Sequence, residues 1–360
     1  MKKIIVAIDS FKGCLTSAEA NEAACKGIKA CCPDVEVVQI PVSDGGEGWI
    51  EAFHPFIGGE LVEADVHDPL MRPIKACYIN LKSERLAVIE IAKASGQNLL
   101  KPEERNPLKA SSYGTGELIV DAIRKGCRRF SIGLGGSATS DAGMGMLQAF
   151  AEALESNQFT EDDLKEMTFS IATDVTNPLS GPMGAAHVFG PQKGATPEMV
   201  EELDKRAIDF AKYSARKMGY DCSENPGAGA AGGLGYAFMQ YLHADRRSGI
   251  DVLLDMVDFD AMLKDTDLII TGEGSSDAQT LMGKLPMGIM RRAQQQGVDI
   301  ALIAGRIADK EALLKAGFKQ VVCINPEGLP LTEAMKPQVA KANICETVRL
   351  LLENSLSLQP

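Results

Sequence analysis

Tryptophan occurs once and histidine four times in this 360-residue chain, and aromatic residues make up 5% of it. Four scattered histidines offer no paired spacing for a transition-metal cage. The nine cysteines are an odd number and none falls in a C-x-x-C pair, which speaks against a disulfide framework or a structural zinc site. Free thiols fit a reducing compartment, so a cytoplasmic location is expected. No apolar run approaches the roughly 18 residues of a membrane span. The apolar stretch at the N-terminus, Ile4 to Ile8, stops at Asp9 and reads as a strand rather than a secretory signal. A basic stripe is missing as well. The formal net charge is -12, and Arg124-Lys125 with Arg128-Arg129 reads as the end of a helix, so a nucleic-acid partner is not expected.

What is present is glycine, 35 residues of it, and it clusters. Five segments mix glycine with Ser, Thr, Asp or Glu: SDGGEG at 43–48, GLGGSATSDAG at 133–143, the stretch 172–195, PGAGAAGGLG at 226–235 and TGEGSSDAQTLMGKLP at 271–286. Any one of them alone is a tight turn at a strand end. Together they suit phosphoryl chemistry. Glycine lets backbone amides approach a phosphate, embedded acids serve a metal or a base, and lysines offset charge on the transferring group.

Several of these loops follow apolar strands. Lys3 to Ile8, Val35 to Ile40, Leu268 to Ile270, Val298 to Ala304 and Gln320 to Ile324 read as buried parallel strands alternating with helices. Thr16 with Glu19 makes a capping box for the first helix. The middle of the chain differs, with a strand pair at Ile74–Ile79 and Leu86–Ile91 and a helix over Glu117–Arg124. The fold class expected is α/β: a Rossmann-like, doubly wound parallel sheet over 1–62 and 250–360, with a second α/β domain, 63–249, inserted into it. In open α/β sheets ligands meet the carboxyl ends of the strands, and the active site is expected in the cleft between the domains.

Familiar nucleotide signatures are absent. Gly227-Ala228-Gly229-Ala230-Ala231-Gly232 fits G-x-G-x-x-G but follows a polar stretch ending in Pro226, not a strand, so it reads equally as a phosphate loop or as a place where helices pack closely. Gly283-Lys284 is followed by Leu285, which breaks a Walker A pattern, and the protein-kinase H-R-D and D-F-G sets are missing.

SFKG, P-x-x-DGGEG, GTGEL, GLGGSAT, D-V-x-NPL-x-G, FGPQKGA, PGAGAAGGLG and GEG-x-x-D-x-QT-x-x-GK-x-P occur in that order between Asp9 and about Gly305. This series resembles the type I glycerate kinase family. The resemblance implies ATP and Mg²⁺ as requirements, D-glycerate as acceptor and 2-phosphoglycerate as product; a kinase for another small hydroxy acid or polyol, or a non-catalytic sensor, is the alternative. Small-molecule partners are implied, with no membrane and no nucleic acid, and a homodimer is left open. The chain departs from the family pattern at Ser275-Ser276, where Arg and an aliphatic residue are frequent, and at Trp49, Ser140 and Ala142.

Named residues follow. Asp174, after a strand-like run, is expected to be the general base or a metal ligand. Lys12 is expected to meet phosphate or the glycerate carboxylate, and Lys193 to neutralise the transferring group. Ser10, Asp44, Glu47, Glu273, Asp277 and Lys284 are expected around the substrate, Asp44 also at the metal or as a helix cap. Gly135, Gly136, Ser137, Thr139, Gly229 and Gly232 are expected at the nucleotide phosphates. Asp141 is a weaker candidate for the role given to Asp174, because an acid beside Ser140 and Gly143 also suits a helix N-cap.

Overall fold

The computed structural model describes residues 1–42, 48–281 and 284–357. Its strands are β1 (Lys3–Ile8), β2 (Glu36–Gln39), β3 (Glu60–His67), β4 (Pro73–Leu81), β5 (Leu86–Glu90), β6 (Arg129–Gly133), β7 (Thr168–Ala172), β8 (Asp245–Arg247), β9 (Leu268–Glu273), β10 (Asp299–Ala304) and β11 (Gln320–Cys323). They form two compact units, Met1–Ser43 with Ile250–Pro360, and Asp44–Gly249. Relative to a boundary at residue 62, this division assigns helix Trp49–Ile57 and the first part of β3 to the second unit.

The first unit is built on a five-stranded parallel sheet in the order β11-β10-β9-β1-β2. The run from Ile4 to Ile8 is fully buried, as a strand covered on both faces requires. Ile4, Val6 and Ile8 share one core with helices Ser17–Cys31 and Pro337–Ser357. Helix Leu285–Gln296 packs on β9 and β10. Thr16 and Glu19 close the capping box read from the sequence. Counted along the unit, the strand order is 2-1-3-4-5, the doubly wound arrangement whose direction reverses between β1 and β9. Ile8 pairs with Gly272 at that point, so the loops after β1 and β9 leave side by side.

The second unit holds a six-stranded sheet in the order β3-β4-β5-β6-β7-β8. The β3–β4 and β4–β5 pairs are antiparallel, and β5 to β8 run parallel. The strand pair read around Lys82–Glu84 is β4 and β5, joined by a 3₁₀ turn. Ala87 and Ile89 face a core shared with helices Tyr113–Arg124, Met144–Glu155 and Leu234–Leu242. Side chains alternate across a strand, so Glu90 turns to the other face, where helix Trp49–Ile57 packs. The glycines of GTGEL serve packing: a Cβ on Gly114 would meet the His67 carbonyl oxygen at 1.9 Å, and one on Gly116 that of Met146 at 2.6 Å.

Candidate active site

In the second unit the candidate residues gather at the carboxyl ends of β5, β6 and β7. The segment Leu134–Ser140 leaves β6 and is strapped to the turn after β5. Gln97 N–H donates to the Gly136 carbonyl (2.9 Å) and Ala138 N–H to that of Ser95 (2.8 Å), while the Gln97 amide donates to the Ser137 carbonyl (3.1 Å). Gly136 lies exposed at φ 73°, a left-handed conformation that suits glycine.

Lys193 enters this loop from the 3₁₀ turn Pro191–Lys193. Only 4% of it is exposed. Its Nζ donates to Ser137 Oγ (2.8 Å) and to the Thr139 carbonyl (2.6 Å). Burial pulls the ammonium down from 10.5 to about 7, a shift that the Asp141 carboxylate opposes. Neither partner is an anion, so among the described residues the charge is hydrogen-bonded yet not neutralised at contact distance. Thr139 Oγ1 and Ser140 Oγ are buried without a hydrogen-bond partner among the described residues. A buried ammonium beside two unspent hydroxyls is an arrangement that an anion would complete.

Asp141 is not the N-cap of the helix that follows, a place taken by Gly143, but its carboxylate is held just ahead of it. It accepts from Ser112 N–H and Oγ (both 2.8 Å) and from Gly143 and Gly145 N–H (both 3.1 Å), fixing the start of helix Met144–Glu155. Asp174 lies exposed just beyond β7, with its Oδ1 accepting from Gly249 N–H (3.3 Å). The glycines at 227–235 pack against neighbouring loops. A Cβ on Gly229 would come 2.2 Å from the Pro178 carbonyl oxygen, and one on Gly232, at φ 66°, only 1.9 Å from that of Thr139. Of the two readings of this segment, close packing is the one with contacts behind it.

In the first unit the candidates sit at the ends of β1 and β9. Asp9 N–H donates to the Gly272 carbonyl (2.8 Å) and Ser10 N–H to Asp9 Oδ1 (2.6 Å). Lys12 follows, exposed. Glu273 ends β9 only 7% exposed, and burial holds its carboxyl above the usual range. It accepts from Thr280 Oγ1 (2.6 Å), which in turn accepts from Asp277 N–H (3.1 Å) and Ser276 Oγ (3.3 Å). Lys284 stands at the N-cap of helix Leu285–Gln296, partly buried. Ser276 is fully buried, its backbone tied to Arg306 and Ala308 and its hydroxyl to Thr280, so a small polar residue has a hydrogen-bonded place here. Ser275 beside it is exposed. Asp44 and Glu47 lie outside the described residues.

One acid escaped the sequence reading. Glu90, at the end of β5, is 1% exposed and accepts from Ile50 N–H (3.3 Å), with Lys93 Nζ 4.0 Å away. Burial raises its carboxyl from 4.5 to about 7, against the pull of Lys93. The signal was a lone acid closing an apolar run, LAVIE. Among the described residues no three His, Cys, Asp or Glu side chains gather into a metal cage. A Mg²⁺ that travels with nucleotide phosphates needs only one or two carboxylates from the protein, and Asp174, exposed at a strand end, carries a carboxylate of the type that could fill that role. Among the described residues no helix is long and apolar enough to cross a membrane.

The chain is similar to known proteins along nearly its whole length. The family model for the glycerate kinase family matches residues 4–161 and 151–354. A glycerate kinase of Bacillus subtilis is 41% identical over 355 residues, covering 93% of each chain. A glycerate 2-kinase of Escherichia coli K12 is 37% identical over 368 residues, covering 96% of each. The crystal structure of a candidate glycerate kinase 2 from Salmonella typhimurium LT2 superposes with a TM-score of 0.82 at 36% identity, over 99% of this chain and 100% of that one. With a family match along nearly its whole length and relatives at this identity, the chain belongs to the glycerate kinase family and is an ATP-dependent kinase.

Proposed function

We propose that this kinase moves the γ-phosphoryl group of ATP to the 2-hydroxyl of D-glycerate, giving 2-phosphoglycerate and ADP, with Mg²⁺ required. The observation that carries the phosphoryl reading is Lys193, a buried ammonium bound to the glycine loop at the ends of parallel strands. The 2-position is supported by the likeness to a glycerate 2-kinase.

In this reading the phosphates lie along Gly135, Gly136, Ser137 and Thr139, where the free Thr139 hydroxyl can donate. Lys193 offsets the charge that spreads over the transferring group. Asp174 takes the proton as the glycerate oxygen bonds to phosphorus and the bond from phosphorus to the β–γ bridging oxygen breaks. Mg²⁺, when bound, would shield the charge of the phosphate oxygens; Asp44 is the carboxylate assigned to hold it, with Asp174 the alternative ligand where it does not serve as the base. Ser10, Lys12, Asp44, Glu47, Glu273, Asp277 and Lys284 are assigned to orient glycerate. Gly229 and Gly232 act behind this surface, by letting neighbouring loops approach.

An acceptor panel with ATP and Mg²⁺, read by phosphorus NMR of the product, tests the proposal. Turnover of D-glycerate above other short hydroxy acids, with phosphate on the 2-oxygen, is expected. Preference for another acceptor overturns the substrate, and phosphate on the 3-oxygen overturns the position. Chelation of Mg²⁺ is expected to stop turnover, and adding it back to restore it.

A further inference from the structure

Helix Ser17–Cys31 turns an alanine-rich face to the first sheet, yet that face carries two polar residues four apart. Asn21 is fully buried among residues such as Ala20, Ala24 and Ile28. An amide in such a place is tolerated only if its hydrogen bonds are made.

Its partners are not in the helix. Asn21 Oδ1 accepts from Ile8 N–H (2.9 Å), and its Nδ2 donates to the Ile40 carbonyl (2.9 Å). One turn earlier, Ser17 Oγ donates to the Ile8 carbonyl (2.5 Å) and accepts from Val42 N–H (2.9 Å). Both backbone groups of Ile8 are therefore held by side chains of this helix. Both side chains also reach the chain leaving β2.

The β1–β2 register stops short of this point. Val6 and Gln39 are the last paired residues, and Ile40 N–H donates back to Val6 (2.8 Å). Beyond it, two side chains replace what would be the next rungs of the ladder. A side-chain bridge sets a wider separation than a direct backbone hydrogen bond. On its other side Ile8 pairs with Gly272 of β9. Ile8 is thus clamped from both flanks, two residues before Ser10 and four before Lys12.

We propose that Ser17 and Asn21 are positioning residues for phosphoryl transfer: they spread the end of β1 from the chain leaving β2 and so aim the loop that carries Ser10 and Lys12. This rests on the reading of Lys12 as a ligand-binding residue. Neither side chain touches a reacting atom in this scheme; each acts through the loop.

The test compares Ser17→Ala, Ser17→Thr, Asn21→Leu and Lys12→Ala, with the double variant Lys12→Ala/Ser17→Ala, in the full-length enzyme. The readouts are kcat, KM for each substrate, and melting temperature, with rates taken where circular dichroism shows each variant fully folded. Misaiming a binding loop by about 1 Å can lower rate by on the order of 100-fold. Expected is a fall in kcat of that order for Asn21→Leu and of roughly tenfold for Ser17→Ala. Ser17→Thr keeps the hydroxyl and is expected to keep the rate. In the Lys12→Ala background, Ser17→Ala is expected to add little, because both losses run through one loop.

If the folded Ser17→Ala and Asn21→Leu enzymes turn over like the parent, with only their melting temperatures lowered, the positioning role is overturned while Lys12 keeps its role. If Lys12→Ala itself leaves turnover unchanged, the reading of that loop fails and the inference fails with it. Should Asn21→Leu not fold, the Ser17→Ala and Ser17→Thr pair and the double variant decide the matter alone.

Discussion

Lys193 Nζ donates to Ser137 Oγ at 2.8 Å, joining two loops 56 residues apart in sequence. The contact ties a titrating cation to the glycine loop. Its charge is present below its folded value of about 7 and absent above it. The kcat/KM of the enzyme is therefore expected to decline as pH rises through about 7, since that ratio reports the free enzyme. Lys193→Met is expected to lose on the order of 10²- to 10³-fold in kcat and to lose that descending limb. A pH profile of both proteins checks this.

The same lysine makes a stability prediction with a defined sign. Between about 7 and 10.5 the unfolded chain binds the proton that the folded chain has released. Stability therefore rises with pH across that window. Lys193→Met is expected to flatten this rise, measured by urea unfolding at several pH values.

Asp174 gives a prediction that separates chemistry from binding. Asp174→Asn removes the proton acceptor and keeps a similar shape. Turnover is expected to fall by roughly 10²- to 10⁴-fold. Affinity for ATP, measured by calorimetry, is expected to change far less. Equal loss of both, or of neither, contradicts the assignment.

Glu90 has the opposite pH signature to Lys193. Its carboxyl is raised from 4.5 to about 7 by burial, so the folded chain holds a proton that the unfolded chain has lost. Stability from this group is full below 4.5 and is lost as pH rises through about 7. The shift corresponds to roughly 3 kcal/mol at about 1.4 kcal/mol per pH unit. Glu90→Gln is expected to be the more stable protein at alkaline pH and to lose its advantage in acid, followed by melting temperature across pH.

Gly232 and Gly181 make a matched pair for substitution. Both have positive φ, 66° and 83°. A Cβ at 232 would sit 1.9 Å from the Thr139 carbonyl oxygen, whereas one at 181 meets nothing within 4 Å. Gly181→Ala is expected to destabilise by about 1 kcal/mol through backbone strain alone. Gly232→Ala is expected to exceed about 2 kcal/mol, because the Thr139 loop must also move. Chemical unfolding of both variants measures the difference.

Much of the architecture was legible along the chain. Runs such as Lys3–Ile8 and Asp299–Ala304 are apolar on both faces because their sheet is covered on both faces, and that pattern survives in one dimension. The capping box at Thr16 is equally local. β3 escaped notice although Val62, Ala64 and Val66 alternate with Glu63 and Asp65 as a half-buried strand does. β8 had no such signal: Asp245, Arg246 and Arg247 form a strand through backbone pairing with β7, not through side-chain pattern.

The sequence by itself determined the class of fold, the order of the glycine-acid loops and the residue types that phosphoryl chemistry can use, because strand runs, caps and loop composition are short-range properties. It placed Lys193, Asp141 and Gly232 in glycine-rich loops without giving the burial or the partners of any of them. Tertiary structure alone separated them, into a buried cation near neutrality, a carboxylate holding a helix start, and a glycine pressed against a carbonyl. It alone also brought Ser17 and Asn21 to the open end of the β1–β2 ladder and buried Glu90. Desolvation and hydrogen-bond supply depend on what packs around a group from distant parts of the chain, and no local pattern carries that information.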